Sequence, residues 1–283
     1  MSKQLPGEDR LPTLFQPYQW GRFRLKNRVK YGACCVSNYN ERDGHITPRE
    51  LARTRVISKT GCGLITNQGA YPDPRGEGKA YFRQVAIHDD KFLPQFEEIA
   101  GFIHEACAIA VQQILHAGRY GGIDLGYCVQ PSIVPQTLPH FRPPREVTKD
   151  DIRQTIKEHA DAAKRAVKAG FDATEITSFM GYLLANFCSR FTNQRSDEYG
   201  GNIVNRGRFM REMIQEIKAA TPDNPLIVRL NGVELMDRWG SNSEDECFEL
   251  MQQAADCGVD MISVTVGWQE APESSIGRDI PPG

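Results

Sequence analysis

Six short apolar or β-branched runs alternate along this chain with stretches of helical periodicity, and that alternation limits the fold more than any other feature. The strand-like runs are Arg28 to Cys35, Gly63 to Gly69, Ala110 to Leu115, Ala173 to Thr177, Leu226 to Leu230 and Met261 to Val266. Several are continuous apolar stretches rather than strict alternations, as in parallel strands covered on both faces. Helix signals lie between them. Thr47-Pro48-Arg49-Glu50 reads as an N-cap, an N1 proline and a capping-box glutamate, and Ser243-Glu244-Asp245-Glu246 repeats the box. From Lys149 to Ala169, the residues Ile152, Ile156, Ala160, Ala163 and Val167 share one stripe, with Gly170 as the stop. Further helices are expected from Lys91 to Cys107 and from Val204 to Ala220.

A β-α-β-α order means a parallel sheet with right-handed crossovers. An open doubly wound sheet and a closed barrel both satisfy it. No G-x-G-x-x-G follows the first strand, which weighs against a dinucleotide-binding open sheet. The six units fall short of the eight that close a barrel, and an open six-stranded barrel exposes two apolar edges. The expectation is a single domain over residues 1–283 with its last one or two βα units missing, a fragment of a longer enzyme.

Composition removes several function classes. A net charge of −2 and a pI near 6.3 give no reason to expect a nucleic-acid partner. Met1 to Leu11 lacks the apolar segment of a signal peptide, and no apolar run approaches the ~20 residues of a membrane span, so a cytoplasmic protein without a membrane partner is expected. Eight cysteines include no C-x-x-C, and the six histidines stand singly, so no metal site is expected.

Two polar segments carry the chemistry. The first is Gln112-Gln113-Ile114-Leu115-His116-Ala117-Gly118-Arg119; the second runs from Gly181-Tyr182 through Phe191-Thr192-Asn193-Gln194-Arg195-Ser196-Asp197-Glu198-Tyr199-Gly200-Gly201. Each follows a strand-like run, where strands give way to loops. These segments resemble the old yellow enzyme family of FMN-dependent ene-reductases, and within it the 2,4-dienoyl-CoA reductase and NADH:flavin oxidoreductase branch. The resemblance extends from Leu14 to about Ile276 and implies an α/β fold, the TIM (β/α)₈ barrel, with its site at the C-terminal ends of the strands.

The resemblance implies roles residue by residue. Gln113 would contact the flavin's pyrimidine edge, where a carboxamide both donates and accepts. Arg229, a charge inside the apolar run Ile227-Val228-Arg229-Leu230, would face the ring's N1 and O2 side. Ala33, Cys34, Cys35 and Gly69 would line the ring, Cys35 at a position where some relatives carry a potential-tuning cysteine. Tyr182 would donate the proton, a phenol being a weak acid suited to an enolate-like carbon base. Thr177 and Met180 stand where simple enone reductases place a histidine pair, and Gln269 where the dienoyl-CoA branch has a histidine; all three would face substrate. The stretch Arg190 to Gly201, with Asn205-Arg206 and Arg208-Phe209, reads as scaffold, its Gly200-Gly201 permitting positive φ, and His116 and Arg119 as loop anchors.

The implied function is hydride transfer, with FMN as cofactor and NADH or NADPH as reductant, to the activated C=C of an enoyl-, dienoyl- or aryl-CoA thioester. A 4Fe-4S cluster and FAD would belong only to a missing C-terminal part. A homo-oligomer is possible. The alternatives are an amine dehydrogenase of the same family, favoured by Cys35, and a non-catalytic truncated flavin-barrel fragment.

Overall fold

The computed structural model describes residues 9–138 and 142–271. Its main sheet has six strands: β1 (Lys30–Tyr31), β2 (Leu64–Ala70), β3 (Ile109–Ile114), β4 (Ala173–Ser178), β5 (Leu226–Val233) and β6 (Met261–Val266). Every neighbouring pair is parallel, and each strand lies beside the next one in sequence. That sequential order decides between the two expected folds. A doubly wound sheet reverses direction at a switch point; this sheet curls one way, as the strands of a (β/α)₈ barrel do. The expectation that no further strand follows β6 concerns residues from 272 onward, outside the described residues.

The covering helices are α1 (Pro48–Ser58), α2 (Leu93–Glu105), α3 (Lys149–Lys168), α4 (Arg208–Ala220) and α5 (Glu244–Asp256). Their inner faces bury Phe96, Ile103, Ile152, Ala163, Phe209 and Met213 against the sheet's apolar side chains Ile65, Ile114, Ile176 and Val228. The capping box at Ser243 and Glu246 forms as expected, and Thr148 with Asp151 makes another at the start of α3. Gly170 ends α3 with a φ of +86°.

Several expectations need correction. Val167 is exposed, because it sits in the last turn of α3, on a surface hollow with Phe171 and Pro222. Glu50 does not close a capping box; its buried carboxylate turns to Arg53 and Thr54 instead. The ladder of β1 holds only Lys30 and Tyr31, which pair with Leu64 and Ile65. The helix expected from Val204 breaks at Gly207, where a Cβ would come 2.2 Å from Gln253 Oε1, so Ile203–Arg206 is a separate turn. At Gly200-Gly201 only Gly201 has positive φ (+82°); Gly200 serves close approach, a Cβ there meeting the Arg195 carbonyl at 2.1 Å.

An antiparallel hairpin, Tyr18–Trp20 with Phe23–Leu25, had no place in the expected order. Trp20 and Leu25 pack on Leu64, Val111, Ala173 and Ile227. These are the early residues of β2 to β5, so the hairpin closes the N-terminal end of the barrel. The excursion between β3 and α3 also contains a short parallel pair, Cys128–Gln130 with Pro144–Glu146.

Glu234, just past β5, fastens two loops: Ser189 Oγ donates to its carboxylate at 2.7 Å and the Asn242 N–H at 3.2 Å. Burial pushes this carboxyl up to about 7, against partial relief from those donors and Arg206. A raised carboxyl pKa means the unfolded chain loses its proton first as pH rises. Stability tied to this group is therefore full below about 4.5 and falls until pH about 7. Glu234→Gln is expected to flatten that slope and raise the melting temperature at pH 8 relative to the parent; parallel melting-versus-pH curves would contradict this.

Candidate functional site

The lumen holds charge where a barrel interior is ordinarily apolar. Lys30 on β1 reaches across to Glu175 on β4, a fully buried carboxylate, and donates to Ser263 Oγ on β6 at 3.1 Å. The other Glu175 oxygen accepts from Gln113 Nε2 on β3 at 2.7 Å. Among the described residues the Gln113 oxygen accepts no hydrogen bond. It lies beside Gly69, where an added Cβ would meet Gln113 Oε1 and Leu115 Cβ at 2.8 Å each.

Gly69 occupies a break in the β2–β3 register between Asn67 and Ala70. Bulges of this kind re-aim side chains at strand ends. A buried amide ladder fixes the break: Asn67 Nδ2 donates to Gln112 Oε1 at 2.8 Å, and Gln112 Nε2 donates to the Gln68 carbonyl at 3.0 Å. Gly69→Ala is expected to cost about 1–3 kcal/mol, since both clashing groups are themselves packed. Thermal denaturation checks it; an unchanged melting temperature would show that the slot has slack.

Arg229 leaves β5 into the same space. Its guanidinium stacks over the Phe179 ring at 4.2 Å, and its Nη1 stands 3.9 Å from where a Gly32 Cβ would be. Its Nε is buried without a partner, and no carboxylate pairs with it among the described residues. The residue as a whole is half-buried, but a desolvated guanidinium N–H in that state is costly unless an acceptor faces it.

Cys35 is exposed as a residue, but its sulfur turns inward toward Gly69, whose N–H donates to it at 3.4 Å, and toward Tyr81; desolvation of that sulfur first, then Cys34, raises the thiol pKa. The vicinal Cys34 points elsewhere, beside Tyr31 and Arg53, with its carbonyl accepting from Arg53 at 2.9 Å. Ala33 lies between Gly32 and these two cysteines, half-buried. Cys35 and Arg229 both act electrostatically on Tyr182, and Gln269 hydrogen-bonds its hydroxyl. Burial raises the Tyr182 pKa above the ordinary phenol range, so the hydroxyl stays protonated. Gly69 thus stands against Gln113 and Cys35, and Cys35, Arg229 and Gln269 gather around Tyr182, so the six residues form one neighbourhood linked pair by pair.

Beside Tyr182 opens a cavity of about 380 Å³ lined by Tyr81, Phe82, Tyr120, Leu138, Arg142 and Gln269, among others. Its floor is held by a fully buried ion pair. Arg119 Nη2 meets Glu270 Oε1 at 3.0 Å; Tyr120 Oη donates to that carboxylate at 2.8 Å, and the Thr137 N–H and hydroxyl donate at 2.8 and 3.0 Å. Thr177 is buried on β4 opposite Arg229. Met180 has a φ of +57°; its N–H donates to Asn231, and its carbonyl accepts from Gln269 N at 3.3 Å. The Arg190–Gly201 stretch is knitted by backbone-directed bonds, Arg195 to Val147 and Pro131, Asn193 to Phe187 and Tyr199. His116 accepts from the Gly118 N–H.

Sequence reasoning missed Lys30, Glu175, Tyr81, Tyr120 and Glu270. Lys30 and Glu175 carried the signal that singled out Arg229, a charge within an apolar strand run. Glu270 and the two tyrosines lie in or beside loops and carried none.

Comparison with known proteins agrees with this fold. "Metal reductase" of Desulforamulus reducens is 34% identical over 277 residues, covering 96% of this chain and 40% of that one. The NADPH dehydrogenase of Halalkalibacterium halodurans is 32% identical over 254 residues, 90% of this chain and 73% of its own. A 2-naphthoyl-CoA reductase in complex with 2-naphthoyl-CoA superposes with a TM-score of 0.87 at 32% identity, over 93% of this chain and 42% of that one. The chain therefore spans about two fifths of some relatives and about three quarters of others. The model of the NADH:flavin oxidoreductase / NADH oxidase family matches residues 13–272, and the chain belongs to that family.

Proposed function

We propose that this chain is the FMN-binding barrel of an oxidoreductase that reduces the activated C=C of an unsaturated or aryl thioester, with NADH or NADPH as the electron source. The observation that carries the reading is Arg229: a half-buried guanidinium, stacked on Phe179 and close to Gly32 and Tyr182, whose Nε is buried without an acceptor. The residues fit a flavin on their own chemistry. Arg229 has a buried Nε without an acceptor, Gln113 has a carbonyl oxygen that accepts no bond among the described residues, and Gly69 lets the backbone pack directly against Gln113 and Leu115. Gln113 and Arg229 would hold the pyrimidine side, with the Ala33–Cys35 backbone and Gly69 bounding the rest. When bound, FMN supplies the hydride chemistry.

The protein supplies position and a proton. Tyr182 keeps its hydrogen because burial opposes ionisation, and Gln269 orients the hydroxyl by hydrogen bonding. A phenol so held donates to a carbon base developing beside it. Neither Thr177 nor Met180 offers the imidazole pair that would polarise a ketone, which favours a thioester, already activated by its sulfur. The aromatic lining of the neighbouring cavity suits a flat acyl group, and the 2-naphthoyl-CoA reductase relative has an aryl thioester as its ligand.

The test is the visible spectrum of the purified chain reconstituted with FMN. Flavin bands that bleach with NAD(P)H and recover on adding an enoyl- or aryl-CoA support the proposal. Protein that takes up no flavin, or whose bleached flavin ignores every thioester offered, contradicts it.

A further inference from the structure

The Lys30–Glu175 pair is unexplained by the fold alone, since a barrel lumen is filled more cheaply by apolar side chains, and replacing a buried pair by apolar groups is often neutral or stabilising. Its geometry explains it. A carboxylate only accepts hydrogen bonds, so the group Gln113 turns toward Glu175 must be its NH₂. One hydrogen of Nε2 is thereby committed at 2.7 Å, and the carboxamide can no longer rotate by half a turn about its last bond without setting oxygen against oxygen. The carbonyl oxygen is left facing the Gly69 side, with one N–H beside it.

We propose that Glu175 is a positioning residue that fixes the flip of the Gln113 carboxamide, so that the amide presents an acceptor and a donor to the flavin's pyrimidine edge in one sense only. The inference rests on the FMN reading above. Lys30 holds the carboxylate from β1 while Ser263 holds the ammonium from β6, so the device ties both outer strands of the sheet to the amide on β3. Glu175 need not touch the flavin: it acts through Gln113. The order imposed has a direct consequence for recognition. A ring edge offering N–H between two carbonyl oxygens matches it, whereas an edge with the opposite pattern of donors and acceptors meets like against like.

The experiment is a double-mutant cycle read by FMN fluorescence quenching on titration, so it does not depend on turnover. Glu175→Gln keeps the shape of the side chain but removes its obligation to accept, leaving the Gln113 amide free to flip. It is expected to weaken FMN binding about tenfold. In a Gln113→Ala background the same substitution is expected to change binding by less than about twofold, because its target is gone. The pair Lys30→Met/Glu175→Gln, in both backgrounds, removes the charges together and repeats the cycle without a stranded ammonium; thermal melting checks that each variant is folded. An equal loss in both backgrounds would mean that Glu175 acts structurally or by long-range charge, and would overturn the inference while leaving FMN binding intact. No loss in either background would overturn it too. Failure of the parent chain to bind FMN would remove the reading and the inference together.

Discussion

Tyr182→Phe is expected to slow thioester-driven reoxidation of the reconstituted protein by about 10²–10⁴-fold, the usual contribution of a positioned general acid. FMN affinity should stay within a factor of about two. The substitution removes one oxygen and retains the ring packing, on Phe179 at 5.4 Å and Tyr120 at 6.4 Å between centroids. The lost oxygen is the one that Gln269 engages, so the phenylalanine variant leaves that amide without its partner but opens no cavity. Reduction by NAD(P)H needs no proton from the protein to carbon and should be little affected. Stopped-flow spectroscopy separates the two half-reactions. Equal rates of reoxidation in parent and variant would remove Tyr182 from proton transfer.

Glu270→Ala is expected to destabilise the fold by about 3–5 kcal/mol, the cost of stranding one member of a fully buried ion pair. Three residues lose a partner with it: Arg119, whose Nη2 keeps only the Pro135 carbonyl, Tyr120 through its hydroxyl, and Thr137 through its backbone and side-chain donors. Arg119 is poorly placed to adapt, since its Nε and Nη1 are already buried without partners. For a chain of this size the melting temperature should fall by about 10 °C. The double variant Arg119→Met/Glu270→Ala removes the stranded charge and should recover part of that loss. A melting temperature within 2–3 °C of the parent after Glu270→Ala, a loss of roughly 1 kcal/mol, would show that solvent reaches the pair.

Sequence and structure agree best where both faces of a strand are covered. β2 to β5 were legible because helices pack outside them and the lumen inside, whereas β6 was legible from its β-branched run although Val264 and Val266 are exposed. β1 was overestimated, since periodicity cannot reveal that only two residues of the run join a ladder. The hairpin at Trp20 and the strand pair at Cys128 were invisible for a related reason: three-residue strands take their stability from the surface they cover, not from their own pattern. In the site, Arg229 announced itself as a charge amid apolar residues, while Gln113 and Tyr182 owed their reading to the flanking motifs. What the chain order could not convey was pairing at a distance. Lys30 finds Glu175 across 145 positions and Tyr120 finds Glu270 across 150, and only the curl of the sheet brings either together.

The central claim is that the strand ends enclose a planar flavin ring, and a crystal structure of the chain grown with FMN measures it directly. The account predicts density for a flat tricyclic ring in the concavity bounded by Gln113, Gly69, Cys35 and Arg229, with Tyr182 open to one face of it. Density elsewhere on the protein, or a concavity that holds only solvent at saturating FMN, would contradict it.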